Sequence, residues 1–394
     1  SICKDYKEAF SAYKNVNMMY ASKALCTLAT SAILADVGFG FDVVSAGEMY
    51  TVYKAGADMK KVLFNGNNKS ISELTLALEL GVGRISVDNF LELSLLNVLA
   101  KSMNKTAEIL LRITPGIECH THEYIQTGHL DSKFGFDLTQ IDEAVNLILE
   151  EYSNLTLRGL HAHIGSQIFE TKVYHDEIEI LVKELARLDE KFGLKLDEIN
   201  IGGGLGVKYT ESDCPPSTYE IACVIIESLN SSVQKYGIDY PTLFIEPGRS
   251  IISTAGVTLY TIGSSKQVPN GKKYFAVDGG MADNARPSMY KAEYTASVAN
   301  KPDAETSQSV TIAGRFCESG DILIHNIELP ELEEGDILCV YNTGAYNYSM
   351  ASNYNRVQKP AMVLVNNSQS DIIIERETLD DLISHDRIPD RLKK

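Results

Sequence analysis

The chain has 394 residues, enough for one large domain and a smaller one. Its 44% apolar and 23% charged residues are ordinary for a globular protein, and no uncharged apolar run could span a bilayer, so a membrane protein is not expected. The formal charge of −17 repels a nucleic-acid backbone, so any anion has to be held by a local cationic or amide-lined pocket. Seven scattered cysteines (Cys3, Cys26, Cys119, Cys214, Cys223, Cys317 and Cys339) lack a paired spacing and cannot close an even disulfide set, which points to a reducing cytoplasm. Residues 1–20 lack the basic, apolar and small-residue order of a secretory signal.

Eight short apolar runs alternate with helical patterns through residue 250: Val16–Tyr20, Phe41–Val44, Lys61–Phe64, Arg84–Val87, Glu108–Ile113, Leu157–His163, Glu198–Ile201 and Thr242–Ile245. Between them, stretches such as Ser70–Leu80, Thr139–Glu151, Tyr174–Phe192 and Thr218–Tyr236 repeat apolar residues at helical spacing, as in Ile178, Leu181, Leu185 and Leu188. The alternation predicts a (β/α)8 TIM barrel over residues 1–254, with its chemistry at the carboxyl ends of the strands. After residue 254 the helical pattern gives way to β-like runs at Gly256–Gly263, Lys273–Asp278, Val310–Ile312, Ile322–Ile324, Asp336–Tyr341 and Pro360–Leu364. Residues 255–394 therefore read as a smaller, Greek-key-like β domain, in which Lys301–Ser309 is expected as a mobile loop.

The strand ends collect the chemically able residues. Lys23 follows the first run, where partial desolvation would lower its pKa and make it a nucleophile; an ordinary surface lysine at a strand end is the plain alternative. His161 and His163 alternate at the end of the sixth run and face the same side. Together with Cys119, His120 and His122 they invite a zinc reading, but no matched ligand-pair spacing supports one, and a histidine stacked on a flat ring accounts for His163 more simply. Gly202-Gly203-Gly204-Leu205-Gly206 follows the seventh run; such a turn can converge backbone amides on a phosphate, or can simply be tight. Glu246-Pro247-Gly248-Arg249 follows the eighth, setting a carboxylate beside a guanidinium. A carboxylate against a pyridine nitrogen would keep that nitrogen protonated, whereas a buried salt bridge would be purely structural. In the β domain, Cys317 adjoins Glu318 in a glycine-flanked loop, and the segments Asp283–Tyr290 and Gly344–Asn355 are rich in Arg, Asn and Tyr.

These segments occur in a characteristic order: YASKA (Tyr20–Ala24), HTHEYIQTG (His120–Gly128), SKFG (Ser132–Gly135), HAHIGSQ (His161–Gln167), GGGLG (Gly202–Gly206), EPGR (Glu246–Arg249), CESGD (Cys317–Asp321) and GAYNYSMASNYN (Gly344–Asn355). On them the chain resembles, over nearly its whole length, the fold-type III pyridoxal-phosphate decarboxylases, and most of all their diaminopimelate branch. The resemblance implies pyridoxal 5'-phosphate on Lys23 as a Schiff base, His163 stacked on the ring, and Glu246 paired with the ring nitrogen. It implies that Ser166, Gly204, Pro247, Gly248 and Arg249 belong to the cofactor site, with Gly204 and the Glu246–Arg249 turn at the phosphate end. Arg249, Arg286 and Tyr290 would bind substrate carboxylates, Glu318 the distal amine, and Tyr346 both substrate and cofactor, while Cys317 would donate a proton. In that family Cys317 and Glu318 reach the site of a neighbouring subunit, so a homodimer with shared sites is implied. The implied reaction is decarboxylation of meso-2,6-diaminopimelate to L-lysine and CO2, the last step of lysine biosynthesis.

The sequence departs from the family at its start, where relatives carry an upstream segment that supplies a β-domain strand before the helix expected at Tyr6–Tyr13; one edge of that domain is thus expected to look unpaired. Leu25 stands where many relatives have Asn. Rival readings are a decarboxylase of another basic amino acid or polyamine precursor, and a non-catalytic homologue acting as a binding partner. A racemase fits less well, because related racemases present arginine to the ring nitrogen.

Overall fold

The computed structural model describes residues 2–117 and 132–393. The chain divides into two compact units between Ile252 and Ser253. In the first, the described residues form nine strands: Val16–Ala21 (β1), Gly40–Val43 (β2), Val62–Phe64 (β3), Arg84–Val87 (β4), Ala107–Thr114 (β5), Phe136–Asp137 (β6), Leu155–His161 (β7), Glu198–Asn200 (β8) and Thr242–Ile245 (β9). All pairings are parallel in the order β4-β3-β2-β1-β9-β8-β7-β5, and a β4–β5 pairing closes the ring into an eight-stranded barrel. The two-residue β6 lies outside the ring against the end of β5 and was not anticipated from sequence.

Burial on both faces explains why these strands are continuous apolar runs: in β5 seven of eight residues are buried. Met19, Leu63, Leu110 and Phe244 meet inside the barrel. Below them, Arg84 grips Glu198 through two hydrogen bonds of 2.6 and 2.7 Å, a bidentate tie between β4 and β8.

The helices of this unit are Ile2–Ala9 (α1), Leu28–Asp36 (α2), Ala46–Lys54 (α3), Ile71–Leu80 (α4), Phe90–Ser102 (α5), Ile141–Glu150 (α6), Lys172–Phe192 (α7), Thr218–Tyr236 (α8) and the single turn Arg249–Ile252 (α9). α1 begins before Tyr6 and ends at Ala9, four residues short of the expected Tyr13. Ser70 with Glu73 and Ser217 with Glu220 form capping boxes that start α4 and α8. On α7, Ile178, Leu181, Leu185 and Leu188 are all buried, as their spacing required. No described helix is long and apolar enough to cross a membrane.

The second unit contains Thr258–Gln267 (β10), Lys273–Val277 (β11), Ala296–Val298 (β12), Gln308–Ala313 (β13), Ile322–Leu329 (β14), Ile337–Val340 (β15), Met362–Asn366 (β16) and Gln369–Ile374 (β17). Six strands form a sheet in the order β12-β15-β10-β11-β13-β14, and β16 and β17 form a separate hairpin. β10 serves two partners: Thr258–Thr261 pairs with β15, and Ile262–Gln267 pairs with β11. The sheet ends on β12 and β14. One expectation needs correction: β13 already begins at Gln308, inside the segment read as a loop. The unit also carries two five-residue helices, Arg286–Tyr290 (α10) and Leu379–Ile383 (α11).

Candidate active site

Lys23 sits in a 3-10 turn, Ser22–Ala24, immediately after β1. Ser22 and Ala24 are buried, and Lys23 between them is exposed. The turn is locked to the end of β9: the Ala21 N–H donates to Pro247 O at 3.2 Å, and a Cβ on Gly248 would lie 2.8 Å from that of Ala21. Gly248 is thus required by a close approach of two strand ends, and it brings Glu246-Pro247-Gly248-Arg249 beside the Lys23 turn.

Glu246 is buried at the carboxyl end of β9. Its Oε1 accepts from Asn200 Nδ2 at 2.7 Å and from Asn65 Nδ2 at 3.1 Å, while His161 Nε2 lies 3.6 Å away. Asn65 also donates to Asp42 Oδ1 at 2.6 Å, so one amide links two buried carboxyls. Burial, and next the Asp42 charge, push the Glu246 carboxyl up to about 8 against the two amide donors and the Lys23 ammonium. Burial likewise raises Asp42, opposed first by Lys23. Glu246 Oε2 makes no hydrogen bond among the described residues. A buried carboxyl with one oxygen tied and the other not is suited to a cationic N–H partner, such as a protonated pyridine nitrogen.

His161 and His163 are brought together, but in different roles. His161 is buried, and its Nδ1 lies 2.7 Å from Ser86 Oγ. His163 is half-buried and its Nδ1 accepts from the Gly203 N–H at 3.3 Å, which puts the ring proton on Nε2. Burial holds both rings well below the usual histidine range; the cations Arg112 and Lys23 add to this. Neutral rings can stack on a cofactor without adding charge. Of the other residues read as zinc ligands, Cys119, His120 and His122 lie outside the described residues.

The glycine run is shaped by packing as much as by any ligand. Gly202 has φ +62° and Gly204 φ +99°. Added Cβ atoms would fall 2.5 Å from His163 Nδ1 at Gly202 and 2.5 Å from Gly165 O at Gly204. Three of the five amides already have protein acceptors: Gly202 N–H on Asn200 Oδ1, Gly203 N–H on His163 Nδ1 and Gly206 N–H on Ile168 O. Among the described residues this leaves the Gly204 and Leu205 amides for an anion. Arg249, buried at the start of α9, donates to Ser166 Oγ at 3.0 Å and to Tyr209 Oη at 2.9 Å. Ser166 and Arg249 were expected here; Asp42, Asn65, Asn200 and Tyr209 were not assigned from sequence.

In the second unit, Arg286 and Tyr290 lie at the two ends of α10, not on a loop, with Pro287 opening the helix. Arg286 is buried and donates to Tyr294 Oη at 2.6 Å. Ser288 Oγ donates to Gly320 O at 2.9 Å, tying α10 to the Cys317–Asp321 turn. That turn is built on Asp321, whose carboxylate accepts the N–H groups of Met281 and Phe316 at 2.7 and 2.8 Å. Cys317 and Glu318 are exposed; the Cys317 N–H donates to Asn355 Oδ1 at 3.1 Å, and Glu318 accepts from the Tyr354 hydroxyl. Tyr346 is half-buried, with φ +61°.

A lysine on a turn at a barrel strand end, a buried carboxyl free on one oxygen, a neutral histidine face and an amide-and-guanidinium anion corner match the four requirements of a phosphorylated pyridine aldehyde. The pyridoxal-binding domain of the pyridoxal-dependent decarboxylases matches residues 1–253, and the chain belongs to that family. Its curated relatives include the diaminopimelate decarboxylase of Synechocystis sp., 49% identical with 99% of this chain and 84% of the relative covered. That of Bacillus subtilis is 46% identical over 97% of this chain and 88% of its own length. Among solved structures, diaminopimelate decarboxylase from M. jannaschii in co-complex with L-lysine superposes with a TM-score of 0.93 at 35% identity, covering 100% of this chain and 90% of that one.

Proposed function

We propose that this chain decarboxylates meso-2,6-diaminopimelate to L-lysine and CO2, using pyridoxal 5'-phosphate bound at Lys23. The observation that carries the reaction type is the buried Glu246 carboxyl, held through Oε1 by two asparagine amides and left with Oε2 for a ring nitrogen. The choice of diaminopimelate is supported by relatives named for that substrate along the whole chain, through the β unit as well as the barrel.

When bound, the cofactor supplies a protonated ring that accepts the electron pair left by departing CO2. Lys23 would hold it covalently through its amine. Glu246 would keep a proton on the cofactor's ring nitrogen, and the neutral His163 ring would pack against it. Gly204 and the turn of Glu246, Pro247, Gly248 and Arg249 would hold its phosphate end, with Ser166 also in the cofactor site. Roles for Arg249, Arg286, Tyr290 and Tyr346 at the substrate carboxylates, for Glu318 at the distal amine, and for Cys317 as proton donor rest on the family resemblance. So does a homodimer that shares Cys317 and Glu318 between sites, whereas a cytoplasmic location rests on the seven scattered cysteines. Purified protein loaded with pyridoxal phosphate and given meso-diaminopimelate, L-ornithine or L-arginine tests the assignment: CO2 and lysine form from the first with a kcat/KM at least about 100-fold above the others.

A further inference from the structure

Asn200 ends β8 and is completely buried, and each end of its amide is committed. Its Oδ1 accepts the Gly202 N–H at 2.8 Å, and its Nδ2 donates to Glu246 Oε1 at 2.7 Å. The Glu246 N–H donates to Gly202 O at 2.7 Å, which closes a ring of three hydrogen bonds through Asn200, Gly202 and Glu246. Gly202 opens the glycine run proposed at the phosphate side, and Glu246 is the carboxyl proposed at the ring nitrogen. One side chain therefore ties together the supports for opposite ends of the same cofactor.

We propose that Asn200 is a positioning residue that orients the Glu246 carboxyl and favours its charged form, while fixing the Gly202 turn at a set distance from it. The inference rests on the proposed use of pyridoxal phosphate. A donor on a carboxylate stabilises the ionised state, and an amide anchored at its other end cannot rotate to present oxygen instead. The second donor, Asn65, is shared with Asp42 and cannot replace it. The charged and titratable groups around Glu246 are Asp42 on β2, Lys23 after β1, Arg112 on β5, His161 on β7 and Glu177 on α7. None of these gives a donor to both Glu246 and the glycine turn.

Two substitutions separate Asn200's tasks. Asn200→Asp keeps an oxygen for the Gly202 N–H but sets a carboxyl against Glu246. Asn200→Ser keeps a hydroxyl able to accept an amide two residues on and removes the donor to Glu246 without burying a charge. In both, kcat for diaminopimelate should fall about tenfold or more with KM within about threefold, and the acid limb of the kcat profile should move up by about one pH unit. The affinity of the cofactor-free protein for pyridoxal phosphate should fall less in these two than in Asn200→Ala, which loses both contacts. In a Glu246→Gln background the effect of Asn200→Ser on kcat should largely vanish. If Asn200→Asp does not fold, Asn200→Ser carries the test, with thermal melting reporting its fold. An unmoved pH limb in a folded Asn200→Ser protein, or a loss that adds in full to that of Glu246→Gln, would overturn the proposal by showing a merely structural asparagine. Wild-type protein that binds no pyridoxal phosphate at Lys23 would instead remove the functional reading beneath it.

Discussion

The Lys69 ammonium lies 2.6 Å from Glu92 Oε1 with both side chains buried, joining the loop after β3 to the first turn of α5. The same ammonium donates to Gly66 O and Ser86 O at 2.8 and 2.7 Å, so it also ties the loop after β3 to β4. Lys69→Met would take the buried Glu92 carboxylate's counter-charge and one donor from each carbonyl. A loss of about 3 kcal/mol in unfolding free energy is expected from denaturant titration, with part recovered by adding Glu92→Leu. A cost below about 1 kcal/mol would mean that the pair is not held as described.

Glu246 gives the cofactor-free protein a definite pH dependence. Its carboxyl ionises near 4.5 in the unfolded chain and near 8 in the folded one. Between those values the unfolded state carries fewer protons, so stability is fully present below about pH 4.5 and is lost as pH rises through 8. The neutral His161 and His163 act oppositely, losing stability as pH falls below the ordinary histidine value of 6.5. Melting curves of cofactor-free Glu246→Gln should match wild type near pH 5 and exceed it by several degrees near pH 9. A gap that does not widen with pH would argue against a buried, raised carboxyl.

At the anion corner, Tyr209 holds Arg249 through its hydroxyl. Tyr209→Phe removes one hydrogen bond worth about 1 kcal/mol, which corresponds to an approximately fivefold weaker hold on pyridoxal phosphate. Arg249→Ala should weaken it at least about a hundredfold. Equilibrium dialysis of the cofactor-free variants reads both; unchanged affinity in Arg249→Ala would move the phosphate elsewhere.

The substrate end is tested by Arg286. If its guanidinium binds the second carboxylate of a diacid, Arg286→Ala should raise KM for diaminopimelate about tenfold or more while changing kcat less. Because Arg286 is buried against Tyr294, a melting curve must accompany the kinetics. An equal fall in kcat with KM unchanged would contradict the assignment.

The barrel was legible because its strands are buried on both faces and its helices carry caps and apolar stripes, signals that lie within ten or twenty residues of sequence. What escaped has no such local signal. β12 is only Ala-Ser-Val, β17 opens on Gln-Ser-Asp with exposed side chains, and β6 is two residues long. The motif residues Lys23, His163, Ser166 and Arg249 stood out at strand ends. Asp42, Asn65, Asn200 and Tyr209 had no role assigned, because their contacts join residues 23 to 181 positions apart and exist only once the ring closes. Asn200 offered one clue, a polar residue at a strand end two positions before a glycine run. The glycines themselves were half understood: Gly202 and Gly204 make room for His163 and a neighbouring carbonyl as well as exposing amides.

The most direct test is borohydride reduction of the purified protein after loading with pyridoxal phosphate, with peptide mapping of the adduct and a parallel assay of CO2 and lysine from meso-diaminopimelate. The expected result is a single pyridoxyl group on Lys23, lysine formed in step with CO2, and loss of both products in the reduced protein. An adduct on another lysine, or an intact Lys23 adduct with no lysine from diaminopimelate, would contradict it.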